Sequence, residues 1–333
     1  MRIRFKPTAE QRAELLRKLV RAQQPATALK ILRSTAAADF QPSRAVPTVQ
    51  SVHSDRFVVR VQLTSDAAER SYALKVYSDD FSEKVWTHAR SLAAYYPSNH
   101  DGLCLPTHYL PSERMLVFPW VEGVFLSEIV DELKLDLLRD AAGIAASLHR
   151  LKIVPESPTT ARMFVDETRG WCDRLRERRP ETTPLTERLM AALERALPLL
   201  DPAEPAPIHG DMAAGQFLWT GRRLVLLDLD MFGYADPAYD AGHFVAQLER
   251  RRLFDRELPA HASRWVDCFR DAYLAEMPGV SPRNVTFYCG LTLMRKMYTV
   301  CRRFPTEGPE LVPKLAARAE AALEDAMSPL STS

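Results

Sequence analysis

Glycine is scarce in this sequence, 12 in 333 residues, while proline is frequent at 24, a balance that suggests helices broken by proline-rich loops. Cysteine is scarce too. The five (Cys104, Cys172, Cys268, Cys289 and Cys301) are odd in number, widely scattered and never arranged as CxxC. That argues against a zinc site and a disulfide framework, and for a reduced cytoplasmic protein. No apolar run is long enough to span a bilayer. The basic start Met1-Arg2-Ile3-Arg4-Phe5-Lys6 has no apolar stretch behind it, so no secretory signal is expected. Nor is there an excess of one charge. Lys and Arg number 44 against 43 Asp and Glu, which gives no general pull toward nucleic acid or a membrane. The local basic runs at Arg174–Arg179 and Arg250-Arg251-Arg252 read as solvated helix faces. No internal repeat is visible. What is present, 46% hydrophobic and 26% charged residues, fits a globular chain large enough to divide into two lobes.

The order of patterns supports that division. Residues from Thr8 to about Leu32 have helical character, with Leu15, Leu16, Leu19 and Val20 at helical spacing and a capping box from Thr8 to Gln11. A proline-containing segment follows, from Gln41 to Pro47. Phe57–Leu63 and Tyr72–Tyr77 read as strands joined by a polar hairpin loop, Thr64–Arg70. Phe81 to Tyr95 reads as helix, and Met115-Leu116-Val117-Phe118 as a short strand that Pro119 ends. Beyond this the chain turns mainly helical. Leu137, Ala141, Ile144, Ala145, Leu148 and Leu151 share one face, Leu185 to Leu200 is another helix, and Val312, Leu315, Ala316, Ala319 and Leu323 form a last amphipathic stripe. The expected organisation is an α+β fold: a helical extension over 1–45, a β-rich lobe over 46–118, a connector at 119–123 and a helical lobe over 124–333.

Two segments in the helical half carry chemistry: Ile208-His209-Gly210-Asp211-Met212-Ala213-Ala214-Gly215-Gln216, and Leu227-Asp228-Leu229-Asp230 at the end of the apolar run Leu224–Leu227. Phosphoryl transfer asks little of a protein: a carboxylate to take or orient the proton of an attacking hydroxyl, oxygen ligands for magnesium, and a cation on the nucleotide phosphates. Asp211 can supply the first. Gln216 and Asp228 can supply hard oxygen ligands. Lys75, on an upstream strand, can supply the cation. Period-2 alternation puts Ala73 on the face of Lys75, and a small residue there leaves room for an adenine ring.

In these residues the chain resembles the aminoglycoside phosphotransferase, choline kinase and maltokinase group of small-molecule kinases, which share the protein-kinase-like fold. The group's H-x-D-x-x-x-x-N pattern reads here as HGDMAAGQ, and its metal-binding strand end as LLDLD. Its G-x-x-D-P-x-x-D tail reads as Gly233–Asp240, its helix-ending LH as Leu148-His149, and its hinge as Leu116–Gly123. The likeness runs from about Val49 to beyond Arg303. It implies a bilobal fold with a small β-rich N-lobe and a larger helical C-lobe, and transfer of the γ-phosphate of ATP or GTP to a hydroxyl with Mg²⁺. It further implies Asp211 as catalytic residue, His209 packed beneath the loop to fix it, Asp228 as metal ligand and Gln216 beside it. Asp230 is implied near the metal or the substrate hydroxyl. Asp236 and Asp240 are implied as braces. Lys75 and Ala73, with the hinge residues Phe118, Pro119, Trp120 and Val121, would hold the nucleotide. The acceptor would be a small-molecule alcohol, sugar-like, aminoglycoside or another antibiotic or metabolite. The protein would be a monomer or homodimer.

Three departures qualify the match. Gln216 stands where the group has Asn, as in maltokinase-type members. No glycine-rich loop precedes Lys75; the expected turn is Val49–Arg56. The glutamate that pairs with the strand lysine is not obvious: Glu83 is the nearest carboxylate, while spacing to Leu92 points to His88. The last two departures leave a nucleotide-binding scaffold without turnover as the alternative. His149 reads as a structural histidine, and His243 and His261 show no metal pattern. Acidic and basic residues nearly balance between Glu249 and Glu276, which argues against a polycationic acceptor and for a neutral or anionic alcohol.

Overall fold

The computed structural model describes residues 7–37, 39–66, 68–96, 102–153, 157–255 and 257–328. It divides into two compact units. The N-terminal unit runs to Gly123 and takes in the short segment Val225–Asp230; the C-terminal unit comprises Val124–Leu224 and the chain from Met231 onward.

The N-terminal unit begins with α1 (Ala9–Ala22) and α2 (Pro25–Arg33), followed by β1 (Arg44–Val52), β2 (Arg56–Thr64), β3 (Glu69–Tyr77), α3 (Phe81–Ala93), β4 (His108–Leu110) and β5 (Met115–Pro119). The Thr8–Gln11 capping box opens α1 as expected, with each side chain bonded to the other's backbone N–H. The stretch of helical character from Thr8 to about Leu32 forms two helices, because Pro25 lacks the N–H to continue α1 and instead begins α2. Leu15 is buried but Leu16 and Val20 are exposed, so the buried stripe runs through Leu15, Lys18 and Ala22.

The five strands form one antiparallel sheet in the order β1-β2-β3-β5-β4. One face (Phe57, Val59, Val61 and Leu63 on β2; Tyr72, Leu74 and Val76 on β3; Met115 and Val117 on β5) packs under α1 and α2. Burying each such side chain contributes roughly 1.5–3 kcal/mol. Alternation turns Ala73, Lys75 and Phe118 to the opposite face. The segment Val49–Val52, expected in a turn, is strand. The turn narrows to His53-Ser54-Asp55, closed by the His53 N–H donating to the Arg56 carbonyl at 2.8 Å. β1 hides from sequence reading because its apolar residues do not follow its buried face: Ala45 is buried, while Val46, Val49 and Val52 are exposed; the sheet edge also tolerates Pro47.

In the C-terminal unit β6 (Val124–Phe125) precedes α4 (Leu133–His149), α5 (Ala161–Arg178) and α6 (Thr183–Ala196). Then come the short strands β7 (Ala206–Ile208), β8 (Phe217–Trp219), β9 (Leu224–Leu226), where the chain passes into the other unit, and β10 (Gly233–Ala235). Four helices follow: α7 (Ala238–Phe254), α8 (Trp265–Glu276), α9 (Pro282–Arg303) and α10 (Gly308–Met327). α9 packs between α7 and α10. At Gly242 a Cβ would stand 2.5 Å from the Val285 carbonyl oxygen, so the α7–α9 approach requires glycine. The expected stripe on α10, Val312 to Leu323, is fully buried. No helix among the described residues is long and apolar enough to cross a membrane.

Candidate active site

In the C-terminal unit the HGD segment follows β7 as a loop whose backbone hangs on one buried carboxylate. Asp240, in the first turn of α7, accepts from the His209 N–H at 2.6 Å (Oδ2) and from the Gly210 N–H at 2.9 Å (Oδ1). His149, at the end of α4, holds the same Oδ2 through Nε2 at 3.1 Å, and its Nδ1 lies 2.7 Å from the Tyr273 hydroxyl. Burial raises the Asp240 carboxyl, but His149, His209 and the Gly210 amide outweigh it and hold it below its ordinary value. Asp240 is thus a loop-holding group and His149 a satisfied structural histidine. Asp236 caps α7, accepting from the Ala238 N–H at 2.9 Å and from Asn284 at 2.8 Å.

His209 is fully buried, and its Nδ1 accepts from the Asp211 N–H at 3.3 Å. Gly210 turns the chain at φ 80°, where an added Cβ would meet the Met231 carbonyl oxygen at 2.2 Å. The loop therefore presents Asp211 outward, its side chain 43% exposed. A partner that the sequence reading did not single out meets it there: His243 Nε2, one turn along α7 from Asp240, is 3.3 Å from Asp211 Oδ1. Burial raises the Asp211 carboxyl; the hydrogen bond from His243 and the charges of His243, Lys296 and His209 more than reverse this, holding it at about 2. Burial in turn pushes His243 down to about 4, so its imidazole is neutral near pH 7. Gln216 is half-buried on the short 3-10 turn Ala214–Gln216 that follows the loop.

The N-terminal unit gathers a second cluster. Lys75 Nζ on β3 is 2.7 Å from Asp228 Oδ1 and 2.7 Å from Asp230 Oδ1. Burial opposes its charge, but the two carboxylates outweigh burial and raise its pKa. The segment bearing both acids is fixed by main-chain bonds between Leu226 and Gly102 (2.7 Å) and between Cys104 and Leu226 (2.9 Å). Asp228 has φ 62°, a left-handed conformation that aspartate tolerates at a cost. Asp230 is buried, accepts from the Tyr77 hydroxyl at 2.7 Å, and lies 3.5 Å from Arg56 Nε.

The expectation for Glu83 changes here. Glu83 is exposed in the first turn of α3, and the carboxylates on Lys75 are Asp228 and Asp230. His88 is not its counter-ion either: burial lowers its imidazole to about 4, leaving it neutral. Asp230 does what was sought on the helix. The only hint in the sequence is its period-2 spacing from Asp228.

Ala73 pairs with Phe118 across β3 and β5 and with Arg60 across β2 and β3, giving a half-exposed wall beside Lys75. Pro119 ends β5. Trp120, whose N–H donates to the Ser71 carbonyl at 3.0 Å, lies under the Arg60 guanidinium at 4.8 Å with its indole nitrogen buried and unpaired. Val121 follows, half-buried. Among the described residues no three His, Cys, Asp or Glu side chains cluster into a self-sufficient metal site.

Solved structures share this fold at low sequence identity. A protein of Ralstonia eutropha JMP134, provisionally assigned as an aminoglycoside phosphotransferase, matches with TM-score 0.63 and 13% identity over 90% of this chain and 98% of its own. The choline kinase of Cryptosporidium parvum Iowa II gives 0.63 and 12%, over 90% and 95%. Spectinomycin phosphotransferase, solved with ADP and spectinomycin, gives 0.57 and 11%, over 92% and 95%. The fold is therefore protein-kinase-like, with a small β-rich N-lobe and a larger helical C-lobe. No curated protein sequence matches significantly. The sequence profile of the APH phosphotransferase enzyme family, however, matches residues 43–280, and the chain belongs to that family.

Proposed function

We propose that this phosphotransferase moves the γ-phosphate of a nucleoside triphosphate, ATP or GTP, to a hydroxyl of a small molecule, with Asp211 as catalytic residue. The observation that carries the reading is Asp211 itself: ionised, outward-facing, and fixed by a loop whose amides are tied to Asp240. A carboxylate held at about 2 is a weak base, so its work is to orient the hydroxyl and accept its proton late, as bond formation to phosphorus acidifies it. Lys75 holds the α- and β-phosphates, with Asp228 and Asp230 fixing its ammonium. Ala73 and Phe118 flank the base, and Pro119, Trp120 and Val121 line its edge. Asp228 and Gln216 are the residues that would hold Mg²⁺, which when bound neutralises charge on the phosphates. Asp230, occupied by Lys75, Tyr77 and Arg56, serves the lysine rather than the metal.

The five cysteines are unpaired thiols, which supports a reducing compartment, the cytoplasm. The scaffold alternative drew on the missing glycine-rich loop and on an unanchored lysine; the second ground falls away, since Lys75 is anchored twice. Asp211→Ala decides between the two. Nucleotide consumption over a panel of sugars, aminoglycosides, choline analogues and nucleosides should fall about 10²–10⁴-fold, with nucleotide binding retained. Full turnover by that variant would remove Asp211 from the mechanism, and binding without turnover by the wild type would favour the scaffold.

A further inference from the structure

One stripe of the C-terminal unit is not used by the chemistry above. His243, Gln247 and Arg250 recur along α7 at positions i, i+4 and i+7 and so share a face. Their contacts are continuous. His243 Nε2 is 3.3 Å from Asp211 and 3.1 Å from Gln247 Nε2, and Arg250 Nε donates to Gln247 Oε1 at 3.1 Å. α9, packed against α7, adds Lys296 and, seven residues on, Arg303. Lys296 is near enough to Asp211 and Arg250 to feel both charges, and Arg250 feels Arg303.

Asp211 is the one carboxylate that Lys296 is shown to feel, and beyond it these cations outnumber their acids. Among the described residues none of Arg250, Lys296 and Arg303 forms an ion pair, although neighbouring cations do. Arg251 meets Asp255 at 3.7 Å, Arg252 meets Glu249 at 3.6 Å, and Arg295 meets Glu167 at 3.3 Å. Arg250 and Lys296 are also half-buried. Burial lowers both, helped at Arg250 by Arg303 and Arg251 and at Lys296 by Arg295 and Arg250; at Lys296 this outweighs the pull of Asp211 and leaves the ammonium at about 8. Partly dehydrated like charges cost stability. A ligand of opposite sign would relieve that cost, and a polycation would add to it.

Resting on the phosphotransferase reading, we propose that the acceptor is a hydroxy compound bearing an anionic substituent, a carboxylate or a phosphate, held by Arg250 and Lys296 while its hydroxyl meets Asp211. Seven residues of helix separate His243 from Arg250, a rise of roughly 10 Å, and the arginine side chain leans back toward the helix N-terminus. The anion and the reacting hydroxyl are therefore at most about one sugar ring apart, with Arg303 at the outer end.

The test uses the full-length protein saturated with Mg²⁺-ADP, so that nucleotide phosphate cannot fill the stripe. Glucuronate, glucose 6-phosphate, glucose and glucosamine are titrated by calorimetry and thermal shift. At least one anionic probe should bind tenfold or more tighter than glucose, with glucosamine weakest. Arg250→Gln and Lys296→Gln should each erase that preference, and Arg250→Lys should restore part of it. The carboxylate and phosphate arms tell which anion is preferred. Equal or tighter binding of glucose or glucosamine overturns the proposal. So does silence from both anionic probes, or a preference that survives in both glutamine variants. Weakened Mg²⁺-ADP binding in those variants, with anion preference intact, would assign the cations to the nucleotide instead. Failure of the wild type to bind Mg²⁺-ADP at all would strike the phosphotransferase reading, whereas bound nucleotide with glucosamine preferred strikes only the anion site.

Discussion

The two charged clusters are opposites. Around Lys75 three carboxylates, Asp55, Asp228 and Asp230, face two cations, Lys75 and Arg56. Around Asp211 a single carboxylate faces Lys296, with Arg250 beyond and a neutral His243 between. The first cluster is rich in carboxylates and the second in cations. Crowded like charges are unfavourable for the protein alone, and a ligand group of opposite sign relieves them.

The comparison can be broken most sharply at Asp228. Asp228→Asn should lower turnover by about 10²–10³-fold and move its Mg²⁺ dependence to higher concentration, read from rates across a magnesium titration. Unchanged magnesium dependence would take Asp228 out of the metal site. Asp230→Asn comes next. Breaking a buried pair costs about 3–5 kcal/mol, lessened here because Lys75 keeps Asp228. Denaturant unfolding should show a large part of that loss, with a raised KM for nucleotide. Excess Mg²⁺ should not restore it; recovery with magnesium would make Asp230 a metal ligand after all.

Lys296→Met tests the cation-rich cluster through stability. Because the folded-state pKa of Lys296 is lowered to about 8, its protonated form is penalised in the fold. The penalty is fully present below pH 8 and fades as pH rises toward the ordinary lysine value of about 10.4. The variant should therefore be more stable than wild type by about 1–3 kcal/mol near pH 7, with the difference vanishing toward pH 10.5. A variant no more stable at pH 7 would mean that Lys296 is not strained there. The smallest effect is expected at Leu16→Gln, an exposed position on α1, where the melting temperature should stay within about a degree.

Much of this was legible in the residues themselves. The capping box at Thr8, the β2–β3 hairpin and the α10 stripe are local patterns, and local patterns survive folding. The HGD and DLD segments were legible for the same reason. The partners of these segments were not. His243 meets Asp211 because Asp240, three residues before it, already holds the loop, and Lys296 arrives on a helix 85 residues downstream of Asp211. Nothing in the spacing of such residues announces a meeting made by helix packing. The lysine's partner was sought on α3 because a glutamate stood there, while the sheet and the Val225–Asp230 segment supplied an aspartate instead.

The brief excursion of Val225–Asp230 into the N-terminal unit has a further consequence, for dissection of the chain. A fragment ending at Gly123 would be continuous in sequence yet incomplete as a unit. It would keep Lys75 and lose both acids that neutralise it, leaving a buried ammonium with no counter-ion. A cut at Gly123 therefore does not separate the two units, because six residues of one are encoded in the middle of the other.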